Sequence, residues 1–226
     1  MGVGYGPVIP TNGMVLNLDG LNTRSYAGSG TAWLDISSVG YNLTLQAAPT
    51  YNATNGSFAF NGSTQYAAQT SGVTTYGVAG GLTVLAFVNP TAVNVANAVI
   101  AHESTTATND GWRMVLRGTG FLGFTLGNVA DYTSATAAIL ANVWQHVAIT
   151  TLSTTLTYFV NGNQYDSATI GAMGGTPATW QVGRDQGGIP EWMSGSINNA
   201  SVYNRVLSVT EIRQHFNAYQ IGRAHV

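Results

Sequence analysis

The sequence predicts an all-β protein: a two-sheet antiparallel jelly-roll sandwich with one short C-terminal helix. Short apolar or alternating runs recur along the chain, and Gly and Asn turns separate them. Helical periodicity is almost absent before the C-terminal segment. The chain has 226 residues, a length that one β sandwich accommodates without a second domain. Together these observations favour a sandwich over a mixed α and β fold.

Ten strands are expected from the apolar runs. Each run contains β-branched or aromatic residues and is followed by turn residues. The expected strands cover residues 14–19, 57–62, 82–89, 97–103, 111–117, 121–127, 144–151, 155–161, 178–183 and 195–203.

The stretch WQHVAITTLSTTLTYFVNGNQ, residues 144–164, predicts two strands of the scaffold. Apolar and polar residues alternate before a turn at Ser153-Thr154, and the second run ends on Asn161-Gly162. This dipeptide suits two consecutive positive φ angles in a tight hairpin. His146 is the only acid-base group near neutral pH in the stretch, and no carboxylate accompanies it there. We therefore interpret His146 as a strand residue without a catalytic role.

One helix is signalled near the C-terminus. Ser208 and Glu211 have the spacing of a capping box, and Leu207 and Ile212 flank them at the positions of a hydrophobic staple. The pattern predicts a helix from Val209 to near Ala218 that packs against the edge of the sandwich.

Both termini are expected to lie outside the folded domain, which we place at residues 13–220. Residues 1–12 are rich in Gly and Pro and predict a flexible arm, with neither the basic nor the apolar region of a signal peptide. Residues 221–226, IGRAHV, resemble the translation of a common sequencing-library adapter. We expect this tail to be non-native and exclude its Arg and His from the site.

The composition excludes several classes of function. Charged residues make up 7% of the chain, against about 25% in an average domain. All basic residues are Arg and the formal net charge is −2, so no basic patch is available for nucleic acid. No run of apolar residues is long enough to span a membrane. There is no Cys, which excludes disulfides and thiolate metal sites.

Five segments, in this order, resemble the laminin G-like members of the concanavalin A-like lectin/glucanase superfamily, in the single-domain form frequent in bacterial and phage proteins. They are NLDGLNTRSYAGSGTAWLDIS, YNLTLQAAPTYNATNGSFAFNGSTQYA, LTVLAFVNP, WQHVAIT with FVNG, and GSINNASVYNRVLSVTEIRQHFNA. The resemblance implies a jelly roll over about residues 13–218. It leaves the function open, because the same scaffold carries lectins, glucanases and structural modules.

The carboxylates do not predict an enzyme. The glucanases of the superfamily use two nearby carboxylates on one strand, an acid and a nucleophile. The three glutamates here, Glu103, Glu191 and Glu211, are far apart in sequence, and no Glu-x-Asp-x-Glu motif occurs. No Gly-x-Ser-x-Gly motif is present either. We expect no catalytic residues.

A ligand site is predicted around the run GWRMVLR, residues 111–117. Strand geometry places Trp112, Met114 and Leu116 on one face and both arginines of the run on the other. Aromatic platforms with planar hydrogen-bonding side chains are typical of sugar sites. The candidate ligand-binding residues are Arg113, Arg117, His102, Asp110, Asp185 and Trp192, the last two from a long loop that also contains Arg184. The alternative is that the arginines form a solvated or assembly-facing surface.

No cofactor is expected, and calcium is the one metal left open. It requires six to eight oxygen ligands, and the loop-proximal carboxylates that could contribute are Asp19, Asp35, Asp131 and Asp185. They follow no EF-hand spacing, and Asp in loops commonly forms turns. Many members of the family that this chain resembles have Asp in the closing strand, where this chain has Asn198 and Asn199. This difference weakens the prediction of a calcium site.

Two classes of function remain. The leading hypothesis is a non-enzymatic phage virion or surface module that binds a glycan or other virion or surface proteins, which would place it on a virion or an extracellular surface. The alternative is a soluble carbohydrate-binding lectin, and a glycoside hydrolase ranks behind both.

Overall fold

The computed structural model describes residues 8–69, 72–104, 110–173, 176–186 and 190–224. Within these residues there are sixteen strands and one helix, and the helix is not long and apolar enough to cross a membrane. In chain order the elements are β1 (Met14–Asp19), β2 (Ala32–Trp33), β3 (Leu43–Gln46), β4 (Thr50–Asn52), β5 (Ser57–Asn61), β6 (Tyr66–Gln69), β7 (Leu82–Pro90), β8 (Asn97–His102), β9 (Trp112–Arg117), β10 (Phe121–Leu126), β11 (Ala130–Thr133), β12 (Gln145–Leu152), β13 (Thr155–Val160), β14 (Asn163–Thr169), β15 (Trp180–Val182), β16 (Ser194–Tyr203) and α1 (Val209–Ala224).

The strands form two antiparallel sheets, which confirms the predicted all-β sandwich with one C-terminal helix. The first sheet has the order β14-β13-β12-β7-β16-β5-β4, with β1 also paired to β16. The second sheet has the order β11-β10-β9-β8-β15-β6-β3-β2. The last strand of the chain, β16, pairs with β1, β5 and β7, so the fold closes through contacts between the two ends of the sequence.

The main core lies between the two sheets and follows from the alternation of side chains along each strand. In β9, Trp112 and Met114 point into this core and are fully buried, as their positions in the run GWRMVLR predict. In β7, Val84 and Ala86 face the same core, whereas Leu85 between them faces outward.

The outer face of the first sheet is covered by helix α1. Ile212 of the helix packs on Leu85, Ala148 and Phe159, which lie side by side on three neighbouring strands. The expected contact with the sandwich edge is also present, because Arg213 donates a hydrogen bond to the Asn163 side chain of β14. The helix therefore seals a second, smaller apolar cluster.

The capping box forms as predicted, and the helix begins at the predicted residue. The N–H of Ser208 donates to the Glu211 carboxylate at 2.8 Å, and the N–H of Glu211 donates to the Ser208 hydroxyl at 3.3 Å. The helix continues to Ala224, beyond the predicted end near Ala218. It includes residues 221–224, the described part of the tail expected to be non-native.

The described part of the predicted arm, residues 8–12, is held against the domain. The Tyr203 hydroxyl donates to the Pro10 carbonyl at 2.7 Å, and Arg205 donates to the Asn12 carbonyl at 2.8 Å. Ile9 packs against the cluster under the helix. The rest of the arm, residues 1–7, lies outside the described residues.

The ten predicted strands are all present, with ends shifted by at most a few residues, and six further strands were not predicted. Four of the six are the terminal strands of the two sheets, β2, β4, β11 and β14. An edge strand is largely solvent-exposed and has no need for apolar alternation. In β14, for example, four of the seven residues of the sequence NQYDSAT are exposed and the other three are partly buried. The remaining two, β3 and β6, are four-residue strands.

His146 is a buried strand residue, as its sequence context indicates. Its side chain is 1% exposed beneath the helix, with ring centroids 5.3 Å from Phe87 and 6.1 Å from Phe216. Burial, with a smaller contribution from His215, lowers the pKa of His146 to about 3. The unfolded state therefore binds more protons than the folded state below pH 6.5, and this residue destabilises the fold as the pH falls through that value.

The variant His146→Leu should reveal this penalty. We expect its effect on the free energy of unfolding to be more favourable at pH 5 than at pH 8 by about 2 kcal/mol, because only the unfolded wild-type chain takes up the proton. Urea unfolding at the two pH values measures the difference. The same change in stability at both pH values would contradict a buried neutral imidazole.

Candidate functional site

The outer face of the second sheet carries a continuous row of side chains. Directly paired residues on neighbouring strands point to the same face, and the strand pairings extend this row across all eight strands. From β11 to β2 the row contains Asp131, Thr125, Arg113, Ala101, Gln181, Ala68, Thr44 and Ala32. Apart from Asp131 at the edge, Arg113 is the one charged residue in a row of small and polar side chains.

Arg113 is largely buried and lies among carboxylates. Its Nη1 is 2.8 Å from Oε1 of Glu103, and its Nε is 2.9 Å from Oδ2 of Asp185. Side-chain exposure is 11% for Arg113, 3% for Glu103 and 1% for Asp185. Arg113 and Asp185 were both predicted site residues, and the structure brings them together. Glu103, which follows β8, was not among the predicted site residues. Arg113 thus neutralises buried carboxylates and is largely withdrawn from solvent.

Arg117 pairs with two carboxylates on the same face. It donates to Glu191, and its Nη2 is 2.8 Å from Oδ1 of Asp131 and 3.0 Å from the Thr125 hydroxyl. The side chain crosses β10 at Gly123, where an added Cβ would lie 2.8 Å from Cγ of Arg117. Glycine at this position therefore leaves room for the arginine to reach the edge strand.

These ion pairs fasten onto the sheet the two described ends of the loop between β15 and β16, residues 184–186 and 190–192. Asp185 and Glu191 lie at its two ends, and the N–H of Glu191 donates to Oδ1 of Asp185 at 2.7 Å. The N–H of Gln186 donates to Oε2 of Glu103 at 2.6 Å, which adds a link to β8. Both ends of the loop are thereby held over the middle of the second sheet.

Burial shifts the protonation of this group. It raises the pKa of Glu103 from 4.5 to about 7, although the N–H of Gln186 and the charge of Arg113 favour the ionised form. Burial likewise raises the pKa of Glu191, opposed by Arg117. The folded protein holds the Glu103 proton more tightly than the unfolded chain does. Protonation of Glu103 therefore stabilises the fold, and this stabilisation is fully present below pH 4.5. It is lost as the pH rises through about 7.

A second feature of the loop is a guanidinium over two aromatic rings. The Cζ of Arg184 lies 4.3 Å from the Tyr66 ring centroid and 5.2 Å from that of Trp192. The two ring centroids are 5.8 Å apart, with an angle of 73° between the ring planes. All three side chains are partly exposed. Gly183, with a φ of 82°, allows the turn that leads from β15 into this arrangement.

The structure assembles this aromatic group from distant segments. Tyr66 lies on the outer face because it is two residues from Ala68, a member of the row. Trp192 pairs with Arg184 through an isolated antiparallel bridge. Tyr66 was not among the predicted site residues, since only the β6–β15 pairing brings it beside the loop.

A shallow surface pocket of about 260 Å³ lies beside Arg113. It is lined by Arg113 and by residues 125–131 of the β10–β11 hairpin. Arg113, which lines this pocket, also forms the ion pair with Asp185 of the loop.

His102 is not at the surface, so the prediction that it contacts a ligand is corrected. It is fully buried, with its ring 4.2 Å from that of Trp180. Its Nε2 accepts the N–H of Tyr76, and its Nδ1 lies 2.8 Å from the Thr179 carbonyl, to which it donates. Burial lowers the pKa of His102 to about 4. A neutral histidine with both nitrogens bonded is a core residue.

Asp110 forms no ion pair with the arginines of β9 within the described residues. It is 5% exposed and accepts the N–H of Ser104 at 2.7 Å, across the base of a loop whose residues 105–109 are outside the described part. The Asp110 carboxylate therefore stabilises a turn and does not point to a ligand contact.

The aspartates considered for calcium have other partners. Asp35 accepts the N–H groups of Asn17, Ser37 and Tyr41, and Asp19 accepts the N–H of Leu21. Among the described residues, no three His, Asp or Glu side chains are grouped as metal ligands.

Comparison with known families agrees with the observed fold. The model of the concanavalin A-like lectin/glucanases superfamily matches residues 61–213, more than half of the chain. The chain belongs to this superfamily. No curated protein sequence matches it.

Solved structures of botulinum neurotoxin binding domains share the fold of this superfamily member. The binding domain of neurotoxin DC in complex with SialylT has a TM-score of 0.68 and 15% identity, covering 93% of this chain and 52% of that one. A neurotoxin type C structure, described as depending on two ganglioside molecules for cell entry, has a TM-score of 0.66 and 14% identity, with 92% and 52% coverage. The DC domain in complex with rat synaptotagmin II has a TM-score of 0.65 and 16% identity, with the same coverage. The chain thus spans about half the length of these neurotoxin domains.

Substituting Arg113 tests whether the ion pairs hold the loop. We expect Arg113→Met to lower the free energy of unfolding by about 3 kcal/mol or more at pH 8, because it leaves Glu103 and Asp185 buried without a counter-charge. The loss should be smaller at pH 5, because burial raises the pKa of Glu103 to about 7 and this carboxyl is then protonated. Urea unfolding at both pH values measures the effect.

Arg184→Met is the matched control, since Arg184 is partly exposed and has no ion pair within the described residues. It should change stability by about 1 kcal/mol or less at either pH. Equal losses in the two variants would contradict the role assigned to Arg113.

Proposed function

We propose that this protein is a non-enzymatic recognition module that binds a glycan on the outer face of its second sheet. The observation that carries the proposal is the partly exposed group of Tyr66, Arg184 and Trp192. Aromatic faces contact the apolar side of a sugar ring, and planar polar groups bond its hydroxyls. Membership of a superfamily that includes lectins supports this assignment.

The carboxylates support a role without catalysis. A glycosidase needs an acid and a second carboxylate that flank the scissile bond. Glu103 and Asp185 are almost fully buried and face Arg113, so a saccharide on the surface cannot reach them without displacing the loop. Glu191 is more exposed, but it pairs with Arg117.

The neurotoxin structures add support for recognition in general. Two of these binding domains are in complex with SialylT or with rat synaptotagmin II, and cell entry of neurotoxin type C is dependent upon interaction with two ganglioside molecules. Since this chain covers about half of those domains at low identity, they support a binding role and do not assign a ligand. Placement on a phage virion or an extracellular surface stays a prediction from the sequence and its family resemblance.

A glycan array followed by calorimetry tests the proposal. We expect millimolar or tighter binding to at least one glycan, weakened at least about tenfold by Trp192→Ala because the sugar loses its aromatic contact. Leu152→Ala is the control, since Leu152 is 54% exposed at the end of β12 in the other sheet. Absence of any glycan binding, or full affinity in Trp192→Ala, would refute the proposal.

A further inference from the structure

Within the described residues, Arg184 is a cation without a counter-charge, on a face where Arg113 and Arg117 are paired with carboxylates. Arg113 and Arg117 each contact carboxylates, whereas no ion pair within the described residues includes Arg184. Arg24 and Arg213 also lack a carboxylate partner there, but both are exposed and neither lies over an aromatic ring. Arg184 therefore combines a charge that no carboxylate of the described residues neutralises with a position set by two aromatic rings.

The geometry of the loop explains why this charge stays unpaired. Arg184 and Trp192 form the bridge, and each is followed or preceded directly by an acidic residue, Asp185 or Glu191. Successive side chains of an extended segment point to opposite sides. The acids accordingly turn to Arg113 and Arg117. The guanidinium and the indole are left together on the other side.

The guanidinium also has donors to offer. Its Nε donates to the Asp185 carbonyl at 2.9 Å. A guanidinium has five N–H donors in a planar fork, and the Nη groups of Arg184 have no acceptor among the described residues. Two Nη donors match the two oxygens of a carboxylate in a bidentate pair.

We propose that Arg184 makes the site selective for acidic glycans, with the carboxylate of a sialic or uronic acid residue on its Nη groups and the sugar ring against Tyr66 and Trp192. This inference rests on the proposed function and adds the class of ligand to it. With a neutral sugar, the Nη groups of Arg184 would stay hydrogen-bonded to water, and the sugar would gain only the contacts with the aromatic rings.

The test pairs each acidic glycan with its neutral form. An array with sialylated, uronic-acid and neutral glycans identifies the best ligand, and calorimetry then compares it with the same glycan methyl-esterified at its carboxylate. We expect the acid to bind at least about tenfold more tightly than the ester. In Arg184→Gln the acid and the ester should bind with equal affinity, because glutamine keeps a planar polar group but lacks the charge. Arg184→Lys should retain part of it, since an ammonium is a point charge without the fork.

The outcomes separate this inference from the proposed function. Neutral glycans that bind as tightly as acidic ones, with loss in Trp192→Ala, would leave the proposed function standing and overturn the acidic preference. An acid-to-ester ratio that persists in Arg184→Gln would also overturn it. If no glycan on the array binds, both proposals fail.

Discussion

The ion pairs of Arg113 hold the surface loop on which the candidate site depends. A largely buried guanidinium is costly unless carboxylates compensate it, because the desolvation of each ion costs several kcal/mol. Glu103 comes from the end of β8 and Asp185 from the loop after β15. The neutralisation of one arginine thus fixes two segments that are far apart in sequence against the same sheet.

The position of the aromatic group follows from that attachment. With Asp185 and Glu191 directed at Arg113 and Arg117, their neighbours Arg184 and Trp192 point to the opposite side of their segments and contact Tyr66. The same contacts that stabilise the loop therefore leave a guanidinium and an indole at the surface. The same contacts leave no carboxylate pair on this face for glycoside hydrolysis within the described residues, since the carboxylates act as counter-ions of the arginines.

Much of the fold could be predicted from sequence, because the alternation in β9 and the capping box at Ser208 are local signals. Exposed edge strands such as β14 lack such signals. The site was less predictable for the same reason. Strand period places Arg113 and Arg117 on one face, but their partner Glu191 lies 74 residues from Arg117. His102 was predicted to contact a ligand beside the arginines, but its side chain points into the sandwich and packs in the aromatic core.

The most direct test of the account is a glycan titration followed by the NMR signals of the tryptophan indole N–H groups. The signal of Trp192 is assigned by its absence in Trp192→Phe. Trp33, Trp112 and Trp180 are fully buried, whereas Trp144 and Trp192 are partly exposed. If the fastened loop presents the binding surface, the indole signal of Trp192 shifts in a saturable manner while that of Trp144 stays in place. Saturable binding that shifts Trp144 and leaves Trp192 unchanged would place the site elsewhere and contradict the account.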